Sequence, residues 1–367
     1  MIRNSILGFL YRTLAKPIFF SRDPEEVHDH MLRFGSFLGR YPITRSICSL
    51  LFDYSHPSLE QTILGVHFSN PVGLAAGFDK DAQLTDIVPS VGFGFSEVGS
   101  ITGESCKGNA KPRLWRLKKS KGLMVYYGLK NDGCEEIAAR LSKKKFRIPI
   151  GISVAKTNCQ KTADVGAGIE DYVKAFQIME PIGDYITVNI SCPNAFGGEP
   201  FTDPERLNKL FTRLDSIPTQ KPIFIKLSPE LSEKEIDLVL ECITRHRVHG
   251  IICTNLGKTR SNPALIDVDI PEKGGYGGRP AQKRSNELIA YVYKKTKGKY
   301  VIIGCGGVFT AQDAYTKIRL GASLIQMITG MIYQGPQVIG EINCGLVQLL
   351  KKDELDNISD AVGVDSR

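Results

Sequence analysis

A chain of 367 residues, 42% hydrophobic and 23% charged, is long enough to bury one large core, and this composition excludes bulk disorder. The formal net charge of +8 suits phosphates, anionic substrates or an anionic membrane surface; Lys and Arg are dispersed, however, and without an aromatic-interleaved basic motif nucleic acid is not an expected partner. Nine cysteines with no CxxC pair and six histidines with no HExxH pattern point to neither a disulfide framework nor a metal site.

Residues Met1 to Arg22 carry Arg3, Arg12, Lys16 and Arg22, no acids, and apolar Ile6, Phe9, Leu10, Tyr11 and Leu14, a pattern that predicts a basic amphipathic helix broken at Pro17. Asp23-Pro24-Glu25-Glu26 predicts a second helix start, with a capping carboxylate, proline at the first helical position and acids at the positive dipole end; Gly39 is its expected stop. Residues 1–45 therefore read as an N-terminal extension of two short amphipathic helices. They form either a lid on the core or a pair that dips into a bilayer surface, and the basic bias favours the second. No run approaches the 18 apolar residues of a spanning helix.

From residue 46 to 367 the texture changes to short apolar runs at Pro71–Ala76, Phe93–Ser100, Ile148–Val154, Tyr185–Ser191, Pro222–Leu227, Gly250–Asn255, Tyr300–Gly304 and Ser323–Thr329. Helix-length segments such as Gly168–Met179, Pro204–Leu214 and Glu233–Arg245 lie between them. Eight such units predict an α/β fold, a (β/α)8 TIM barrel, with a doubly wound open sheet as the alternative. The long connections 101–132 and 256–282 follow strand C-termini, the face where barrels place their chemistry, and are expected to be active-site loops. The tail from Lys351 is polar and expected to be helical, then frayed.

The seventh run leads into Gly304-Cys305-Gly306-Gly307 and the eighth ends at Thr329-Gly330. In a barrel these loops form the habitual phosphate site, because glycine lets backbone N–H groups approach an anion closely. Lys80, Ser100, Asn189, Cys192, Lys226, Thr254 and Asn255 all stand at predicted strand ends on that face. Lys226 is the sharpest of these, since an ammonium within Ile223-Phe224-Ile225-Lys226-Leu227 is costly to bury without an anionic partner. It is either a ligand contact or a lysine that snorkels from a strand edge; a barrel using it as a Schiff-base amine leaves Asn189-Ile190-Ser191-Cys192-Pro193-Asn194 without a role. Cys192, flanked by amides and with no histidine evident to activate it, is better suited to accept a carbon-bound proton than to act as a nucleophile.

These residues resemble the dihydroorotate dehydrogenases over nearly the whole chain. The resemblance rests on Asn70-Pro71-Val72-Gly73-Leu74-Ala75-Ala76-Gly77-Phe78-Asp79-Lys80, Gly94-Phe95-Ser96-Glu97-Val98-Gly99-Ser100, Lys111-Pro112-Arg113-Leu114-Trp115-Arg116-Leu117, the Asn189–Asn194 run, Gly275-Tyr276-Gly277-Gly278-Arg279-Pro280 and Ile303-Gly304-Cys305-Gly306-Gly307-Val308. It implies FMN-dependent oxidation of dihydroorotate to orotate in pyrimidine (UMP) synthesis, with ubiquinone or menaquinone as electron acceptor. Residues 1–45 are similar to the quinone-linked class's membrane and tunnel segment, which implies peripheral attachment at the cytoplasmic face of the membrane. The alternative is a soluble, cytoplasmic relative acting on another dihydropyrimidine. By the resemblance, Ala76, Gly77, Lys80, Ser100, Asn189, Thr254 and Gly278 surround the flavin and its ribityl chain, Lys226 stabilises its negative charge, and Gly307, Ile328 and Thr329 hold its phosphate. Lys80, Asn131, Asn189, Asn194 and Asn255 hold the substrate, and Cys192 is the base.

Several positions depart from the quinone-linked pattern. Cys192 stands where that class carries serine, as in the soluble class. Lys130 replaces an asparagine usual there, Asn131 one place later matches the soluble class, Ser153 replaces an asparagine that touches the flavin, and Ile328 replaces a tyrosine or similar residue near the phosphate. A thiol next to a cation such as Lys80 is expected to titrate low.

Overall fold

The computed structural model describes residues 2–192, 194 and 198–366. Eight parallel strands form its centre: β1 (Val72–Leu74), β2 (Phe95–Ile101), β3 (Ile150–Val154), β4 (Tyr185–Asn189), β5 (Ile223–Lys226), β6 (Gly250–Cys253), β7 (Val301–Cys305) and β8 (Leu324–Met327). Each overlaps one predicted run. The strands follow one another around the ring, and β8 pairs with β1 through Ile325↔Val72, Gln326↔Gly73 and Met327↔Leu74, so the sheet is a closed (β/α)8 barrel and not an open doubly wound one.

The outer helices form where an apolar stripe has a capped start. Pro204–Asp215 buries Leu207, Leu210, Phe211 and Leu214, at i, i+3, i+4 and i+7, and the Asp203 carboxylate accepts the Arg206 N–H. Inside the barrel, small residues face large ones on a neighbouring strand. A Cβ on Gly73 would lie 2.3 Å from the Phe95 ring, one on Gly151 2.1 Å from Tyr185, and one on Gly250 2.2 Å from Phe224. The hairpin Gln61–Ile63/Val66–Phe68 plugs the lower end, its Phe68 ring edge-on to Phe95 at 5.4 Å. Above this aromatic layer the buried Glu97 carboxylate accepts hydrogen bonds from Thr187 (3.0 Å), Gln326 (2.9 Å) and Tyr185 (3.3 Å).

The N-terminal segment differs from the two-helix expectation. Residues 2–21 are helical past Pro17, because the chain widens into a π-turn at Tyr11–Ala15, where the Lys16 N–H reaches the Tyr11 carbonyl, just before the residue that has no N–H to give. The next helix, Pro24–Arg40, does not stop at Gly39; that glycine lets the helix press on Asp86 and Ile87, which a Cβ would approach to 3.1–3.2 Å. A third helix, Pro42–Phe52, runs across position 45. The tail is not frayed: Ile358 and Ala361 are buried and Arg319 pairs with Asp365 at 2.6 Å. Among the described residues no helix is long and apolar enough to cross a membrane.

The two long connections join in one structure. Leu114–Leu117, Gly122–Val125 and Gly275–Gly278 form a three-stranded antiparallel sheet, paired through Leu117↔Gly122 and Gly122↔Gly278.

Candidate active site

A cavity with about 1350 Å3 of empty space, part of it open to solvent, lies at the C-terminal mouth of the barrel beneath this sheet. Its polar wall is made by strand ends. Asn189 ends β4 and is in register with Lys226 at the end of β5, which in turn neighbours Ile252 of β6. Asn189 Nδ2 donates to Ser100 Oγ at 2.8 Å, and Ser100 Oγ lies 2.7 Å from Ser153 Oγ. Asn255 Nδ2 bonds Asn189 Oδ1 (3.2 Å), the Ser191 carbonyl (2.7 Å) and Ser191 Oγ (3.0 Å), so the amides are oriented before any ligand arrives. Asn194 donates to the Val125 carbonyl at 2.9 Å and thereby ties this wall to the inserted sheet. Pro193, expected to hold the thiol segment, lies outside the described residues.

Lys226 is 5% exposed, and among the described residues no hydrogen bond or ion pair engages its ammonium; its charge acts on the Cys305 thiol beside it. An unpaired buried cation facing a cavity calls for an electron-rich partner from the ligand. Lys80 is also buried, 3.8 Å from the Tyr127 ring centroid, and burial followed by repulsion from Lys130 lowers its pKa to about 8. Cys192 lines the same cavity, but the expectation of an acidified thiol fails. Burial pushes its pKa up to about 11, and the cations that act on it are Lys156 and Lys258, not Lys80.

Across the cavity lies a backbone cradle. Gly278, Gly306 and Gly307 all have positive φ, and a Cβ on Gly307 would meet Gln282 Cβ at 2.3 Å. Ile328, Thr329 and Gly330 line the cavity where the helix Thr329–Gln334 begins, and no side chain caps that start, which leaves its first N–H groups to an incoming anion.

The remaining wall is apolar. Leu114, Leu123 and Val125 of the inserted sheet line it with Ile332, and Phe20 from the N-terminal segment packs into the same cluster, its ring edge-on to Tyr333 at 5.1 Å. The helix Pro24–Arg40 is tied down by a buried ion pair from Glu25 to Arg113 at 2.8 Å. It delivers His28 to the cavity, with Nε2 2.8 Å from the Phe78 carbonyl. That contact makes Nε2 the donor, and burial together with the Lys80 charge holds the ring's pKa below the usual histidine range. His28 Nδ1 and the Tyr127 hydroxyl are buried without a hydrogen-bond partner among the described residues.

Of the sequence-predicted site residues, Ala76, Gly77, Lys80, Ser100, Asn189, Cys192, Asn194, Lys226, Thr254, Asn255, Gly278, Gly307, Ile328 and Thr329 all line this one cavity. Ser153 sits one step behind, bonded to Ser100. Asn131 does not reach the cavity. Its Oδ1 accepts the Gly133 and Thr102 N–H groups (2.8 and 3.3 Å) and its Nδ2 donates to Thr102 Oγ1 and the Leu129 carbonyl (2.7 and 2.8 Å), so it is spent on holding its own loop. Sequence reasoning missed His28, Tyr127, Cys305 and the apolar sheet residues. For the sheet, the run Leu114-Trp115-Arg116-Leu117, three apolar residues in four inside a long connection, was the available signal.

The model of the family "Dihydroorotate dehydrogenase" matches residues 58–350. The chain belongs to the dihydroorotate dehydrogenase family, a flavin-dependent one. It is 37% identical over 378 residues to the dihydroorotate dehydrogenase (quinone) of Trichodesmium erythraeum, covering 97% of this chain and 98% of the relative. It is 40% identical over 328 residues to that of Crocosphaera subtropica, covering 86% and 85%. Among solved structures it superposes on the family member from Eimeria tenella in complex with ferulenol, with a TM-score of 0.84 at 29% identity, over 94% of this chain and 96% of that one. The ligand-free form of the Eimeria tenella protein gives 0.83.

Proposed function

We propose that this protein oxidises dihydroorotate to orotate in pyrimidine (UMP) synthesis, with FMN as its bound cofactor and a membrane quinone, ubiquinone or menaquinone, as its acceptor. The observation that carries the reading is that the Cys192 thiol, three residues past the end of β4, and the Lys226 ammonium, at the end of the neighbouring β5, line one cavity together with Lys80 and three asparagines.

The residues present fit FMN. The uncapped start at Ile328–Thr329 and the Gly278 and Gly306–Gly307 backbone suit its phosphate. Ala76, Gly77, Ser100 and Thr254, which line the cavity, would border its ring and ribityl chain, with Ser153 fixing Ser100, and the unpaired Lys226 ammonium would stabilise negative charge on it. When bound, FMN supplies the hydride-accepting chemistry. The chain's own part is to hold the substrate carboxylate by Lys80 and its ring by Asn189, Asn194 and Asn255, and to take the adjacent carbon-bound proton on Cys192 Sγ.

The apolar wall and His28 face a second, lipophilic reactant. Large apolar side chains left exposed concentrate on the N-terminal helices, Phe9, Leu14, Ile43 and Leu50 among them, beside Arg3, Arg12 and Arg45. That combination suits residues 1–45 and the helix that follows to a peripheral seat on the cytoplasmic leaflet. The test is spectroscopic. The purified protein is yellow, bleaches anaerobically on adding dihydroorotate, and recolours with a quinone; no bleaching removes the substrate, and recolouring with fumarate but not quinone removes the acceptor.

A further inference from the structure

A buried acid lies beneath the cavity floor. Glu97 of β2 is fully buried, and its Oε2 accepts from Thr187 of β4 (3.0 Å) and Gln326 of β8 (2.9 Å). Those two strands stand opposite each other across the eight-stranded ring, so the carboxylate sits near the barrel axis. Tyr185 donates a third bond to the same oxygen at 3.3 Å, and burial together with the Glu97 charge keeps its hydroxyl a donor. Three donors converging on one oxygen suit a carboxylate anion. Among the described residues its Oε1 has no partner, and neither has the Oε1 of Gln326, a residue that lines the floor in register with Cys305 of β7. The cation of that floor is Lys226, two residues beyond Phe224, the register partner of Thr187.

Two buried groups of opposite charge therefore occupy consecutive layers of one barrel. The Cys305 thiol senses both: burial raises its pKa, the Lys226 and Lys317 ammoniums lower it, and Glu97 raises it. Lys317 belongs to the outer helix Ala311–Arg319 and has neutral partners, Ser285 Oγ at 2.7 Å and Asn286 Oδ1 at 2.8 Å. Burial lowers its pKa to about 7, so near neutrality it carries only part of a charge, and Lys226 is the cation left to Glu97. The two do not touch, but opposite charges in a dry interior attract across a gap that salt does not screen. We propose that Glu97 is a positioning residue, the counter-charge that keeps Lys226 protonated before any ligand binds and tempers the positive field this ammonium sets across the cavity floor. The effect on the cofactor rests on the FMN reading above; the pairing of the two charges does not.

The test treats flavin-free and FMN-loaded protein separately. Urea unfolding of the flavin-free wild type, Glu97→Gln, Lys226→Met and the double variant closes a cycle, in which glutamine keeps an oxygen for the three donors and removes only the charge. Each single variant strands one buried charge and the double variant strands none, so its folded-to-unfolded ratio should exceed the product of the two single losses by roughly tenfold or more. In the FMN-loaded protein the probe is sulfite, which adds reversibly to oxidised flavin and binds more tightly as the surroundings become more positive. Glu97→Gln should bind it roughly tenfold more tightly than wild type, with the two-electron midpoint of the flavin about 30 mV higher. Thr187→Val removes one bond to the carboxylate but no charge, and should leave sulfite binding within twofold of wild type. Additive stability losses, unchanged sulfite binding in Glu97→Gln, or an equal shift in Thr187→Val each overturns the proposal. Should Glu97→Gln fail to fold, a fold recovered in the double variant supports the pairing, and a double variant that also fails overturns it. If the wild type takes up no FMN, the flavin reading has failed, and the flavin-free cycle still decides whether Glu97 and Lys226 act as a pair.

Discussion

The wall built by the ends of β2, β4, β5 and β6 and the wall built by the inserted sheet and N-terminal helices enclose the same cavity with opposite chemistry. The first presents amides, hydroxyls, a thiol and an unpaired ammonium, most of them fixed by bonds to one another. The second presents Leu114, Leu123, Val125 and Ile332, with one neutral imidazole and one orphan hydroxyl. A small anionic reactant that must lose a proton needs the first, and a lipophilic acceptor needs the second. The contrast assigns the two half-reactions to different walls, and variants in one wall should leave the other half-reaction intact.

The largest separation is expected at Cys192. Cys192→Ala should slow anaerobic flavin reduction by dihydroorotate roughly 10²–10⁴-fold, the size of a lost general base, while reoxidation by quinone stays within twofold of wild type. Stopped-flow absorbance reads both, and equal reduction rates would remove Cys192 from the chemistry. A base works deprotonated, so a thiol pushed up to about 11 makes the limiting reduction rate climb with pH through the neutral and mildly alkaline range. Over the same range Lys80 passes its own pKa near 8 and gives up its charge, so substrate affinity falls as the limiting rate rises. A limiting rate that levels off near pH 7 would mean that the bound state acidifies the thiol.

Asn131 sharpens the polar wall's boundary. With four hydrogen bonds inside its own loop, Asn131→Ala should cost about 1–3 kcal/mol of stability by stranding the Thr102 and Gly133 N–H groups, seen as a lower midpoint in urea. Half-saturation by dihydroorotate should stay close to wild type, whereas Asn194→Ala should raise it. A large loss of substrate affinity in Asn131→Ala with stability intact would return this residue to the site.

The two walls were unequally legible in the amino-acid pattern, for physical reasons. Strands buried on both faces read as continuous apolar runs, so a lysine inside Ile223–Leu227 or an asparagine closing Tyr185–Asn189 stands out as chemistry, and the polar wall follows from strand ends alone. The apolar wall is built by partners far apart in the chain. Gly122 pairs with Gly278; the strand Gly275–Gly278 carries no β-branched residue and Gly122–Val125 only Val125, so neither announces itself as a strand. Leucines in a loop look like packing whether or not they face a cavity. Asn131 lies outside the cavity for a third reason: the family resemblance placed its amide near the substrate, but the left-handed turn at Leu129 (φ +59°) and Gly133 (φ +89°) aims its side chain back into the loop. Direction is set by such turns, and periodicity does not encode them.

The smallest expected effect probes the apolar wall. Leu114 is partly exposed to the cavity and packs in one cluster with Leu123, Phe309, Tyr333 and Phe20, so exchanging it for a polar side chain of similar size leaves the cluster's buried members in place. Fully burying a leucine contributes about 1.5–3 kcal/mol, and a ligand covering only the cavity-facing part recovers a fraction of that, so Leu114→Gln should weaken productive quinone binding roughly tenfold. The loss should appear in flavin reoxidation by a long-tailed quinone, be smaller for a short-tailed one, and be absent from reduction by dihydroorotate. Equal losses with both quinones would place the tail elsewhere. A slower reduction step would show that Leu114 touches the polar half-reaction, and the division of labour between the walls would then have to be redrawn at the inserted sheet.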